Sequence, residues 1–282
     1  MTGHPMSDAR YSQYEVADRV AAITIDRADK ANAQNERMLD ELDACFTAAA
    51  RDDEVGVIVL RANGKHFSAG HDLASAGTPD GPNLTQPDGK FHLQDMYRWE
   101  AEKYLGYGLR WRNIPKPTIA AVQGRCIAGA LNLVFPMDLI VAAENAQFED
   151  PVVAMAIGGV EYHGHTWDFG ARRAKDVLFT GRAIGALEAQ QIGLVRDVVP
   201  LERLQDHTMD LARSIAQKHP FGLSQAKRAV NQTLDVQGFY AARQAVFDIH
   251  HTGHGNAISI SGYPILVGLD EMKAQLKSSN GS

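Results

Sequence analysis

The sequence predicts an α/β fold built on a parallel sheet and followed by a helical C-terminal region. Three observations predict it. Short segments at residues 20–26 (VAAITID) and 55–60 (VGVIVL) are β-branched and nearly all apolar, as in strands covered on both faces. Between them Met38, Leu39, Leu42, Cys45 and Phe46 recur at helical spacing, giving the strand–helix–strand order of a parallel unit. Beyond about residue 200 the apolar pattern is helical throughout.

The elements follow in order. The helix carrying Met38 ends near Arg51. Residues 76–89 are polar and rich in Gly and Pro, which predicts a mobile loop with no core of its own. A helix over 95–112 must stop before Pro115 and Pro117. Residues 118–122 (TIAAV) read as another strand. A loop from Gly124 leads to a short helix starting near Gly129, and 139–142 is a further strand. Helical patterns then occupy 171–180, 186–193, 201–218, 222–234 and 239–251, with a short strand at 194–199. The expected division is an N-terminal extension (1–17), an α/β core (18–200) and a C-terminal helical region (201–282).

Composition narrows the function. The chain has 282 residues, 45% of them hydrophobic and 22% charged, which is ample apolar material for a core. Its 28 basic and 34 acidic side chains give a net charge of −6, so there is no general attraction to nucleic acid or to an anionic membrane. Its two cysteines, Cys45 and Cys126, form no CxxC pair, which fits buried thiols in a reducing compartment rather than a disulfide scaffold. The N-terminus lacks the apolar core of a signal peptide, and no apolar run reaches the roughly 18 residues of a membrane span. A soluble cytoplasmic protein is expected.

Two turns rich in small residues stand out, HFSAGHDL (66–73) and GRCIAGALNLVFPMD (124–138). Each follows a buried-type strand, and in open α/β sheets ligands bind beyond the carboxyl ends of the strands. Small residues let a ligand approach the backbone, and one N–H from each turn would suit a developing oxyanion. Spacing alone is equally satisfied by ordinary tight turns between packed elements.

Taken together, these segments resemble the crotonase family, the enoyl-CoA hydratase/isomerase superfamily. ITIDRADKANAQN resembles the family's I-T-L-N-R-P-x-x-x-N-A, with Asp26 and Ala28 replacing Asn and Pro. HFSAGHDL resembles F-x-A-G-x-D-[LI]. KPTIAAVQGRCIAGALNLVFPMDLIVA and LFTGRAIGALEAQQIGLVRDVVP resemble two later family segments in the same order, so the likeness covers about residues 18–255. It implies a spiral of ββα units, a homotrimer or a hexamer built as a dimer of trimers, and an acyl-CoA thioester substrate. It also implies no cofactor beyond the coenzyme A of the substrate, and no metal. The implied shared step is stabilisation of a thioester enolate by two backbone N–H groups, here His71 and Gly129. His71 would act through its backbone, with its imidazole free to point away. Ala31, Ala33, Ala69, Asp72 and Leu73 fall at positions lining the family's CoA site. Arg27 and Lys30 are candidates for the CoA phosphates or else an ordinary solvated basic turn.

The departures from the pattern bear on chemistry. Both glutamates that hold water in a typical hydratase are replaced, the first by Asn132 and the second by Val152. Asn can orient a water but cannot take or deliver a proton, and Val can do neither. A replacement is expected in AIGGVEYHGHTWD, where the Glu161 carboxylate could serve as base or nucleophile, His163 is a candidate to meet the substrate, and His165 follows. Glu149 and Asp150 are weaker candidates. His250 and His254 would share a helix face, yet no acidic partner sits at the spacing of a zinc motif, so no metal is expected there. These histidines would instead line the acyl pocket or a subunit contact. Of Tyr97, Trp99, Tyr104, Tyr107 and Trp111, most are expected to pack the core and one or two to wall the pocket. The expected activity is that of an enoyl-CoA hydratase or isomerase. Thioester hydrolysis, carbon–carbon cleavage and binding without turnover remain as alternatives.

Overall fold

The computed structural model describes residues 3–85 and 89–279, so residues 86–88 of the expected loop lie outside the described part. Six strands form the main sheet in the order β1-β2-β3-β4-β6-β9: β1 (Ser12–Ala17), β2 (Val20–Ile25), β3 (Val57–Ala62), β4 (Thr118–Val122), β6 (Leu139–Ala143) and β9 (Asp197–Val199). All neighbours are parallel except β1 and β2. A second sheet holds β5 (Arg125–Ile127), β7 (Gln147–Glu149) and β8 (Ile184–Gly185). The chain therefore places β4 in one sheet and β5 in the other before a helix, then repeats the move with β6 and β7. This is the expected ββα spiral.

The main sheet divides its side chains with period two, as a pleated sheet buried on both faces must. Ile23, Ile58, Leu60, Ala120 and Ile140 point to the face covered by α1 (Glu36–Arg51). There Met38, Leu39, Leu42, Cys45 and Phe46 supply the predicted stripe, and the Asn35 side chain caps the helix by accepting from the Met38 N–H at 2.9 Å. Val20, Val57, Val59, Ile119, Ala121 and Val141 point the other way.

The helix expected at 95–112 is three pieces: α2 (Leu93–Glu100), a wider π-helical turn (Ala101–Gly106) and α3 (Tyr107–Arg112). The helix near Gly129 is a 3-10 turn (Ala128–Ala130) running into the short α4 (Leu131–Val134). Next come α5 (His165–Phe169), α6 (Ala171–Thr180) and α7 (Ala186–Gln191). The C-terminal helices are α8 (Leu204–Ala216), α9 (Pro220–Val236), α10 (Phe239–Ser261) and α11 (Leu269–Ser279). Among the described residues, no helix is long and apolar enough to cross a membrane.

Two expected boundaries need correction. Residues 12–17 are not an extension but the antiparallel edge strand of the main sheet. Their alternation is too short and polar to read as a strand, and what holds them comes from elsewhere. The buried Glu41 of α1 accepts from the N–H groups of Arg10 and Tyr11, both at 2.8 Å, and from Ser12 Oγ at 3.0 Å. Arg37 offsets its charge at 3.1 Å. The helical region after 200 packs onto the core. Leu204, Ala212 and Ala216 of α8 pack on the sheet, and α10, which runs ten residues past its expected end at 251, buries three histidines beside the cavity described below. Helix α11 has no counterpart in the sequence reading.

Replacing Glu41 by Ala should leave the Arg10 and Tyr11 N–H groups without their acceptor and free β1 from the sheet. The expected loss is about 2–4 kcal/mol of unfolding free energy, measured by urea denaturation. A loss below about 0.5 kcal/mol would contradict this account of β1.

Candidate active site

The two small-residue turns meet backbone to backbone. Ser68 bridges Cys126, and Gln34 bridges His71, both in parallel sense. The Ser68 N–H donates to Arg125 O at 3.2 Å, and the Ile127 N–H returns a bond to Ser68 O at 3.1 Å. Gly70 sits at φ +86, and a Cβ there would lie 2.6 Å from Ile127 O and 3.2 Å from Gly129 N. Only glycine permits both that conformation and that approach. Ala128, next to Gly129, is held at φ +48, a left-handed conformation uncommon for a residue with a Cβ. The bonds docking the first turn use the N–H groups of Ser68, Ala69, Gly70, Asp72 and Leu73, and that of His71 is not among them.

Over this junction stands Glu161, 4% exposed. Its carboxylate oxygens lie 3.2 and 3.1 Å from His71 Nε2. Asn132 Nδ2 donates to Oε2 at 2.6 Å. The Asn132 amide has no freedom to flip, because its Oδ1 accepts from the Tyr162 N–H at 3.1 Å. His250 Nε2 lies 3.5 Å from Oε1. Burial alone would raise the Glu161 pKa, but the His71 and His250 charges and the bonds from His71 and Asn132 outweigh it and hold the carboxyl well below the usual range. The reverse holds for the imidazoles. Burial lowers the His71 pKa, yet Glu161 lifts it above its ordinary value. Burial likewise opposes the charge on His250, while Glu161 and Glu100 push it up to about 9.

The His71 imidazole thus corrects an expectation. It does not point away but turns into the site, stacked on Tyr104 with ring centroids 4.0 Å apart. It also covers Gly129, where a Cβ would lie 2.3 Å from its Cε1.

Two cavities open on the His71–Glu161 pair, and both residues line each of them. One encloses about 360 Å³ against Leu84, Phe91, Met96, Trp99 and Tyr104. The other encloses about 120 Å³ against Ile127, Val152, Met155, Ile157 and Met272. Apolar walls around one carboxylate–imidazole pair are the usual make-up of a small-molecule site. Val152 therefore joins the wall, and of the five expected aromatics Trp99 and Tyr104 face the pocket. Tyr97, Tyr107 and Trp111 bond instead to Asp248, Asp40 and Asp43.

The remaining expected residues divide. Ala69 lines the smaller cavity, and its N–H donates to Ala31 O at 2.9 Å. Leu73 lines both cavities, and Asp72 lines the larger. Lys30 stands exposed. Arg27 Nη1 pairs with Asp72 at 2.6 Å and donates to Ala33 O at 2.7 Å, which ties two loops together. His163 also falls away from the cavities. Its Nε2 meets Thr166 Oγ1 at 2.9 Å, and burial, with His165 and Arg243 nearby, pulls its pKa down to about 4. Glu149 is taken by Arg125, while Asp150 accepts from the Val160 N–H.

Glu100, buried and lining the larger cavity, is the acidic residue that sequence reasoning missed. A signal existed: Met96, Glu100, Tyr104, Tyr107 and Trp111 form one buried stripe, with a carboxylate inside it.

A family model described as Enoyl-CoA hydratase/isomerase matches residues 15–259. The chain resembles the solved structure of a probable enoyl-CoA hydratase from Mycobacterium thermoresistibile, with 62% identity, a TM-score of 0.85 and coverage of 91% of this chain and 99% of that one. The Mycobacterium tuberculosis protein EchA13 is 41% identical over 93% of this chain and 86% of its own length. The 1,2-epoxyphenylacetyl-CoA isomerase of Escherichia coli is 31% identical over 77% of this chain and 82% of its own.

Substituting Gly129 by Ala keeps the N–H but fills the space beneath the imidazole. The ring is the movable end of a side chain, so it should swing off Glu161, at a cost of about 1–3 kcal/mol in stability. A crystal structure of the variant checks this, and a ring still bonded to Glu161 would contradict the packing described.

Proposed function

The chain belongs to the enoyl-CoA hydratase/isomerase family, and from that premise we propose that it adds water to, or removes it from, an acyl-CoA thioester through an enolate. The observation that carries the reading is the Glu161 carboxylate, buried at the wall shared by two cavities and held there by His71 and Asn132. A binding-only protein has no need to bury a carboxylate facing its ligand and then offset the penalty with two other side chains. Coenzyme A enters as part of the substrate, with exposed Lys30 near the turn that would meet its phosphates.

In the proposed cycle Glu161 takes a proton from water as the oxygen attacks the β-carbon. Electrons move onto the thioester oxygen, which the N–H groups of His71 and Gly129 hold. Each such donor is worth roughly 3 kcal/mol in comparable sites. The protonated His71 imidazole then delivers a proton to the α-carbon, and the pair resets by passing a proton across their 3.1 Å contact. One water is consumed and no net proton is gained or lost. Asn132 acts on Glu161, not on the substrate. The apolar side chains Phe221, Val230 and Val236 of α9, a helix with no buried residue, support a homotrimer or hexamer.

Mass spectrometry of a panel of enoyl-CoA esters incubated in deuterated water tests the reaction. Gain of one water supports the proposal. Free CoA would replace it with thioester hydrolysis, and deuterium uptake without water addition with isomerisation. Binding without any change would favour a non-catalytic homologue. Glu161→Gln should lower kcat by about 10²–10⁴-fold with KM little changed, because the amide keeps the shape and loses the proton acceptor. In sedimentation analysis the chain should run at three or six times its 30.8 kDa mass.

A further inference from the structure

We propose that Glu100, His250 and His251, with His254 against them, form a binding site for one divalent cation of the zinc class, next to the catalytic pair and sharing His250 with it. Three observations carry this. The first is tautomeric. Each of the three imidazoles places Nδ1 on a backbone carbonyl: His250 on Gly159 O at 2.7 Å, His251 on Phe247 O at 3.0 Å and His254 on Pro264 O at 2.7 Å. A carbonyl only accepts, so every Nδ1 carries a hydrogen and every Nε2 of a neutral ring presents a lone pair. Fixing the outer nitrogen in this way is the usual support for a metal-ligating histidine.

The second is convergence. Nε2 of His250 and Nε2 of His251 lie 3.4 and 3.2 Å from the same oxygen, Glu100 Oε2. The ligand atoms of these three residues all fall within 4.8 Å of one another. His254 Nε2 lies 2.9 Å from His250 Nε2. Around a tetrahedral zinc with bonds near 2.0–2.1 Å, neighbouring ligand atoms sit about 3.3 Å apart. The two histidine–glutamate distances match that spacing as they stand, and His254, outside that group of three, stands against His250.

The third is burial without satisfaction. All four residues are buried, yet among the described residues Glu100 Oε2 and His251 Nε2 meet only within the cluster, 3.2 Å apart and without a hydrogen bond of good geometry. A buried carboxylate and a buried imidazole left this way call for a partner. Access exists as well, since Glu100 and His254 line the larger cavity, and His250 and His254 line the smaller. Reading along the chain could not reveal the set, because the carboxylate missing from the His250/His254 spacing comes from α2. An ion here would clamp α10 to α2 and stand one side chain from Glu161.

The competing account holds the cluster together with protons alone, and metal titration separates the two. Full-length protein without a histidine tag, dialysed against EDTA and then EDTA-free buffer, is titrated with Co²⁺ and followed by visible absorption. The expected result is one Co²⁺ per chain with the intense bands of tetrahedral coordination, displaced by one equivalent of Zn²⁺. Glu100→Gln and His251→Ala should each weaken binding by about 100-fold or more, since changes even outside the ligand set cost 10–100-fold. Circular dichroism confirms that each variant is folded. Should both variants misfold, the wild-type stoichiometry and tetrahedral spectrum decide. Absence of one-to-one binding below about 1 mM, octahedral bands, or binding that both folded variants retain would overturn the proposal.

Discussion

A carboxylate buried in an apolar wall is the constraint around which the rest of the site is arranged. Transferring an ion of that size out of water costs several kcal/mol even after the protein relaxes, unless charges and donors replace the lost solvent. Glu161 receives them from three separate parts of the chain: Asn132 from α4, His71 from the turn after β3, and His250 from α10. Each contributor is immobilised in its turn. Asn132 is fixed by the Tyr162 N–H, His71 by stacking on Tyr104, and His250 by Gly159 O. Geometry at Glu161 is therefore set by three elements at once, which is the preorganisation that proton transfer requires.

The sheet makes this convergence possible. Strands β3 and β4 are adjacent and parallel, so the turns that leave their carboxyl ends emerge side by side. Gly70 then lets the first turn close onto the second until their backbones touch. The lack of a side chain at Gly129 leaves room for the His71 ring. Two absent Cβ atoms thus bring the backbones of the two turns and the His71 imidazole into one space.

How much of this was legible in the sequence depended on whether the signal was local. Strands β2, β3 and β4 announced themselves because parallel strands buried on both faces are apolar at nearly every position. Strand β1 did not, because its place is secured by Glu41, some thirty positions away along the chain. Gly129, His71, Asn132 and Glu161 could be picked out from motifs and from departures from them. The partners of Arg27 and His163 could not be read along the chain, since Asp72 lies far from Arg27 in sequence and the His163 ring turns to Thr166. Glu100 carried the subtlest signal. A glutamate in a helical stripe is ordinarily dismissed as a boundary residue, and only the fold shows that α10 lies opposite it with imidazoles.

Asn132 and Glu161 are best understood as one change rather than a loss and an unrelated gain. The family pattern would put a glutamate at 132, and the shorter Asn132 amide already stands 2.6 Å from the Glu161 carboxylate. Two carboxylates at that separation cannot both stay ionised, so one would hold a proton and the pair would titrate as a dyad. An amide at 132 removes the repulsion and turns the same position into a donor. With the acceptor moved to 161, the position now filled by Val152 no longer needs a polar group and can serve the apolar wall. On the proposed reading, the imidazole of His71 is the second proton-carrying group in place of the missing glutamate. Replacing both glutamates therefore does not by itself argue against catalysis, because the same framework holds a carboxylate and an imidazole in contact at the mouth of both cavities.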